Sequence, residues 1–211
     1  MRHYVLATLA AAILSAMTIP SATAAVGANA LTGRDIALAG EALSSPFAAG
    51  VRSIIVVDVA SQRLVLWQDR EAKCVFPVST AKAGTGSEDG SGKTPLGWHR
   101  VAERIGRDAA PGQVFVSRAK TGEILPESLW RSTLDDDKVL TRIMWLEGLE
   151  PGKNSGQGID SHERFIYIHG TNQEHLLGSP ASHGCIRLSN RDAIELFRLA
   201  DGVETLCLIA E

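Results

Sequence analysis

Residues 53–80 read SIIVVDVASQRLVLWQDREAKCVFPVST, three short β-branched or alternating stretches parted only by the polar turns around Ser61-Gln62 and Asp69-Arg70-Glu71. Spacers that short leave no room for a crossover helix. They make the stretches hairpin neighbours, and an antiparallel meander is the economical arrangement. Further strands are expected over Gly97–Ala102, 113–119 (QVFVSRA), 138–147 (KVLTRIMWLE), 164–169 (RFIYIH) and 203–209. Helical signals are few. Thr32–Leu43 has Thr32 as N-cap and Pro46 beyond its end. Ser189–Ala200 opens on a box-like Ser189/Asp192 pair, carries Ile194, Leu196, Phe197 and Ala200 as its apolar stripe, and stops at Gly202. The expected fold class is one mainly-β domain with a few short helices.

The first residues read as a secretory leader, with an uncleaved N-terminal anchor as the alternative that Pro20 and the cleavage pattern argue against. Arg2 and His3 precede an apolar stretch from Tyr4 to Ile19, then Pro20 and the small-x-small pattern Ala22-Thr23-Ala24. We therefore expect a signal peptide over 1–24, a helical lead-in over 25–50 and a catalytic domain over 51–211, with no transmembrane segment after cleavage. About 185 residues would remain, enough for one domain with a real core. With 21 basic against 24 acidic residues the net charge is -3. That balance gives no basic field for nucleic acid. Asp135-Asp136-Asp137 reads as a solvated turn.

One glycine-rich loop offers a decoy. SEDGSGKT (87–94) resembles a phosphate-binding loop, but serine stands at position 87, where the pattern needs glycine, and Pro95 follows where a helix should begin. No nucleotide site is read there.

Three cysteines in an exported chain is an odd count. Cys74 and Cys207 lie in apolar, strand-like runs and read as small buried hydrophobes, although a bridge between them is open. Cys185 differs, because it sits in SHGCIRL (182–188) behind a strand ending at His169. A thiol attacks a carbonyl as thiolate and needs a base or a positive field, which histidine and arginine supply. Alternation along the strand puts Phe165, Tyr167 and His169 on one side. Gly184 lets the backbone turn tightly, so the amides of Gly184 and Cys185 can face an oxyanion. Arg187 has the fork to bind a substrate carboxylate. Zinc is the rival, since His169, His183 and Cys185 are legitimate ligands with His162 and His175 nearby. No H-E-x-x-H or paired C-x-x-C pattern supports it.

His169-Gly170-Thr171 followed by Ser182-His183-Gly184-Cys185-Ile186-Arg187-Leu188 resembles the signature of the L,D-transpeptidase catalytic domain, the YkuD family. Thr94-Pro95-Leu96-Gly97 is similar to that family's T-P-x-G element, and the resemblance covers about residues 51 to 210. The aromatic that usually follows T-P-x-G-x is His99 here, with Trp98 beside it.

The resemblance implies a mixed or antiparallel, β-sandwich-like catalytic fold acting in the periplasm on peptidoglycan stem peptides, with no cofactor and no metal. Cys185 would attack the carbonyl of the third stem residue, usually meso-diaminopimelate, releasing the terminal D-alanine. The thioester would then pass to an amine: a second stem in a 3→3 cross-link, a wall-anchored lipoprotein lysine or a free D-amino acid. His169 would be the base, oriented by a backbone carbonyl for which Gly170 is the candidate. His183, Gly184 and Cys185 would form the nucleophile turn, and Arg187, Ser182, Gly170, Thr171 and Tyr167 would line the substrate pocket. Carbapenems would acylate the thiol. A hydrolase on the same scaffold and a non-catalytic, zinc-bound wall-binding module remain as alternatives.

Overall fold

The computed structural model describes residues 30–131, 133 and 136–211. The expected signal peptide over 1–24 and the first residues of the expected lead-in lie outside them. Among the described residues no helix is long and apolar enough to cross a membrane.

The first helix, α1 (Gly33–Ser44), is held by a reciprocal cap. Thr32 Oγ1 accepts from the Asp35 amide at 3.1 Å, and the Asp35 carboxylate accepts from the Thr32 amide at 2.7 Å. Its buried residues Leu38, Ala39 and Ala42 pack on one face of the sheet, against Ile54, Val56, Val65, Trp67, Leu206 and Leu208.

Strand β1 (Ser53–Asp58) is buried along its whole length. Ile54 and Val56 face α1, whereas Ile55 and Val57 face the second core beneath helix α2 (Asn190–Leu199). A strand covered on both faces has no reason to alternate with polar residues, which explains SIIVVD. Strands β2 (Arg63–Gln68) and β3 (Glu71–Pro77) follow as the expected meander. Their turn holds Asp69 and Arg70 at φ of 52° and 66°, the left-handed pair of a two-residue hairpin.

The remaining strands are β4 (Gly97–Ile105), β5 (Gln113–Val116), β6 (Ala119–Ile124), β7 (Val139–Gly148), β8 (Tyr167–Thr171), β9 (Ile186–Leu188) and β10 (Thr205–Ala210). All ten belong to one mixed sheet, in the order β3-β2-β1-β10-β4-β7-β5-β6, with β8 on β7 and β9 on β8. Strand β7 is the branch point. One edge carries β4 and β5, and the other carries β8. A bulge at Thr141, φ 70°, lets it serve both. The buried Thr141 hydroxyl donates to Asn190 Oδ1 at 2.5 Å, anchoring the start of α2.

Antiparallel pairing is not the whole arrangement: β1 runs parallel to β10, and β8 parallel to β9. The expected strand over 164–169 begins only at Tyr167, because Phe165 sits in a turn at φ 56°. Cys74 and Cys207 are free. They share one cross-strand row with Leu66 and Ile55 between them, so at about 4.8 Å per strand they stand about 14 Å apart, beyond disulfide reach.

Candidate active site

Strands β8 and β9 pair parallel with Ile168 opposite Ile186, His169 opposite Arg187 and Gly170 opposite Leu188. Paired residues share a face, and faces alternate along each strand. Ile168, Ile186 and Leu188 therefore enter the core against Ala193, Leu196 and Phe197 of α2. Tyr167, His169, Cys185 and Arg187 all fall on the opposite face. Burying three branched aliphatic side chains, each roughly 1.5–3 kcal/mol, fixes the register that holds the polar set together.

Cys185 Sγ lies 3.3 Å from the Tyr167 amide, which donates to it, and 3.4 Å from the Phe165 carbonyl. Burial pushes the thiol up to about 12. The Tyr167 amide and the guanidiniums of Arg187 and Arg164 oppose that rise, and Asp137 adds to it. His169 is buried, with Nδ1 2.8 Å from the Gly170 carbonyl. A carbonyl can only accept, so Nδ1 carries the proton and Nε2 is the free base. Burial lowers the imidazole below its usual range, and Asp137 pulls it partly back. At neutral pH the pair rests as thiol and neutral imidazole.

The turn before the thiol is tied on three sides. Ser182 Oγ donates to the Cys185 carbonyl at 2.6 Å and accepts from the Gly184 amide at 3.2 Å. Thr94 Oγ1 donates to the Gly184 carbonyl at 2.9 Å, and accepts from the Ala81 amide at 3.0 Å. Gly184 itself has φ 131°, and a Cβ there would stand 3.2 Å from Ile166 Cδ1 and 3.3 Å from the Lys93 carbonyl. Only glycine meets both demands without displacement.

A family model of the L,D-transpeptidase catalytic domain (YkuD) matches residues 52–206. The chain belongs to this family. The Bacillus subtilis (strain 168) protein named "Putative L,D-transpeptidase YqjB" is 32% identical over 93 residues, which are 41% of this chain and 53% of that protein. The chain thus spans about half the length of that curated relative. Among solved structures, L,D-transpeptidase 3 from Mycobacterium tuberculosis with a faropenem-derived adduct is 16% identical at a TM-score of 0.46, covering 76% of this chain and 60% of that one. An L,D-transpeptidase from Mycobacterium smegmatis is 19% identical at 0.44, covering 76% and 59%.

Within this member of the L,D-transpeptidase catalytic-domain family the other candidate residues have distinct settings. His183 is exposed, its Nδ1 3.6 Å from Asp137 Oδ2. Thr171 is buried, with Oγ1 3.4 Å from Asp137 Oδ1. The Tyr167 hydroxyl accepts from Arg118 at 3.3 Å. Arg187 is fully buried, giving Nη1 to Gln173 Oε1 (2.7 Å) and Asp137 Oδ1 (3.1 Å), and Nη2 to Ser79 Oγ (2.9 Å). Its fork faces the protein's own carboxylate.

Asp137 is the residue the sequence did not announce. Read as part of a solvated turn, it lies instead between Arg187 and His183, close enough to act on both His169 and Cys185. Neither Trp98 nor His99 joins the site. Trp98 packs toward α1, and the buried His99 bridges the Gly97 carbonyl and Ser161 Oγ. Among the described residues, no three histidine, cysteine or carboxylate side chains converge as a metal site would require.

Proposed function

We propose that the protein is an exported, periplasmic peptidoglycan L,D-transpeptidase whose nucleophile is Cys185. The observation that carries this is the β8/β9 register, which puts Cys185 and a neutral His169 on one face with Nδ1 already committed to Gly170. As Cys185 Sγ bonds to the carbonyl carbon of the third stem residue, its proton passes to His169 Nε2. The tetrahedral intermediate collapses, the peptide C–N bond breaks, and the departing D-alanine amine takes that proton. An acceptor amine then attacks the thioester and loses a proton to His169. The C–S bond breaks, and the thiolate recovers its proton from the imidazolium.

The turn's amides stabilise the oxyanion. Because the Gly184 amide already serves Ser182, we assign this to the amides of His183 and Cys185. Ser182 and Gly170 act by holding the turn and the imidazole. Arg187, with Thr171, seats Asp137 and supplies part of the positive field on the thiol. Tyr167 forms the pocket wall. A wall-anchored lipoprotein lysine and a second stem are both acceptors of the right chemistry.

Intact-protein mass spectrometry after incubation with a carbapenem tests the nucleophile. One adduct on the native chain and none on Cys185→Ala is expected. An equal adduct on both would remove Cys185 from the mechanism. Product analysis with and without an amine acceptor separates transfer from hydrolysis.

A further inference from the structure

We propose that Arg118, at the tip of the β5–β6 hairpin, recognises a substrate carboxylate beside the scissile bond; this rests on the stem-peptide function above. Ser117 and Arg118 occupy the two turn positions, both with positive φ (48° and 69°). The hairpin stands out from the sheet. All of β6 is exposed, as is Val116, while Phe115 alone enters the cluster of Ile143, Trp145, Tyr167 and Cys185. The tip is held by Arg118 itself, whose Cζ lies 4.5 Å from the centre of the Trp145 ring and 5.0 Å from that of Phe165.

The same aromatic residues touch the nucleophile. Tyr167 accepts from Arg118 Nη1 through its hydroxyl and donates to Cys185 Sγ through its amide. Phe165 lies under Arg118 by its ring and meets Cys185 Sγ by its carbonyl. Phe165 keeps φ at 56°, a conformation costly for a bulky side chain, with its ring half-exposed. His162 stacks flat on Trp145 at 3.8 Å, completing an aromatic wall against which the guanidinium lies. One tyrosine side chain separates that charge from the thiol.

Two other guanidiniums near the site are occupied. Arg187 is enclosed by Asp137, Gln173 and Ser79, and Arg164 gives its fork to the carbonyls of Gly86 and Lys93. Among the described residues no carboxylate pairs with Arg118. The nearby Glu103 meets His162 Nε2 at 3.4 Å, and Lys120 on the same hairpin meets Asp108. A guanidinium held against ring faces keeps its in-plane donors for a bidentate acceptor, and the apolar flank reduces water's competition. A stem peptide offers two such acceptors near the scissile carbonyl: the side-chain carboxylate of its third residue, and the C-terminal carboxylate of the leaving residue.

The test is calorimetric binding to the Cys185→Ala chain of the tetrapeptide stem and two analogues, one amidated on the third side chain and one at the C-terminus. Arg118→Gln should weaken the parent peptide about tenfold. Exactly one analogue should already bind that much more weakly to the Arg118 protein and lose nothing further on substitution, which identifies the carboxylate. Arg118→Lys, keeping the charge, should recover part of the loss. Equal weakening of all three peptides, or none, would overturn the assignment. A native chain acylated by carbapenem whose Cys185→Ala form binds no peptide would overturn the stem-peptide substrate, and this assignment with it.

Discussion

Thr94 and Gly184, separated by 90 residues in the chain, meet through one hydrogen bond of 2.9 Å from a buried hydroxyl to a buried carbonyl. It is the joint between the glycine-rich loop and the nucleophile turn. The Ala81 amide closes the other side of the hydroxyl. Arg164 braces the same loop through the Gly86 and Lys93 carbonyls.

Thr94→Val keeps the shape and removes the hydroxyl, leaving a carbonyl and an amide unsatisfied. We expect a loss of about 1–3 kcal/mol in stability and at least tenfold slower carbapenem acylation. Thr94→Ser should restore both. Melting and stopped-flow acylation read the two effects, and an unchanged acylation rate would show that the turn holds without the joint.

Asp137→Asn removes the negative charge that raises both the Cys185 thiol and the His169 imidazole. The thiol should ionise at lower pH, so its iodoacetamide alkylation profile moves down the pH axis. Acyl transfer should slow several-fold, because the imidazole accepts the proton less readily. Arg164, Arg187 and His183 face the same space and stay in place. Profiles that coincide would mean that the carboxylate and the thiol are uncoupled.

Stability should fall in mild acid. Burial lowers His99 to about 4, while an unfolded histidine titrates near 6.5. Between these values the unfolded chain binds the extra proton. The contribution is complete above about pH 6.5 and disappears as pH falls toward 4, on the order of 3 kcal/mol. His169 adds in the same direction. His99→Gln should flatten the decline in melting temperature between pH 7 and 4.5, and an unaltered slope would exclude His99 as its source.

Thiol counting checks the cysteine assignment. Cys74 and Cys207 are buried, and burial raises both thiols, Cys74 to about 12. Alkylation of native protein at alkaline pH should modify Cys185 alone, and three thiols should react in denaturant. Two reactive thiols in the native state would contradict the packing of β3 or β10.

Much of this was legible in the residues themselves. The apolar run of β1, the tight hairpin between β2 and β3 and the Ser189 cap of α2 are local chemistry, and local chemistry survives in sequence. Strand β9 was hidden because three residues cannot show a period. Strand β6, AKTGEI, was hidden because it buries nothing and owes its form to the Ser117–Arg118 turn. The parallel pairings depend on partners far away in the chain. Asp137 looked solvated because three consecutive aspartates usually are. It is instead drawn inward, half-buried, by Arg187, a cation enclosed on the strand beside His169. Phe165 fitted the alternation yet left the strand, for the turn there sets the Cys185 contacts.

The pairing of β1 with β10 joins residues 53–58 to residues 205–210, and the Thr205 hydroxyl reaches Ser53 across 152 positions. Closing so long a loop carries a chain-entropy cost that the neighbouring β1–β2 hairpin does not. Strand β10 is what connects the early meander to β4, and through β4 to the branch that holds His169 and Cys185. A second tie lies apart from it: Ser79, just after β3, exchanges backbone hydrogen bonds with Arg187 of β9. The nucleophile turn is therefore framed by residues about a hundred positions earlier in the chain, whereas the meander before it is built from neighbours.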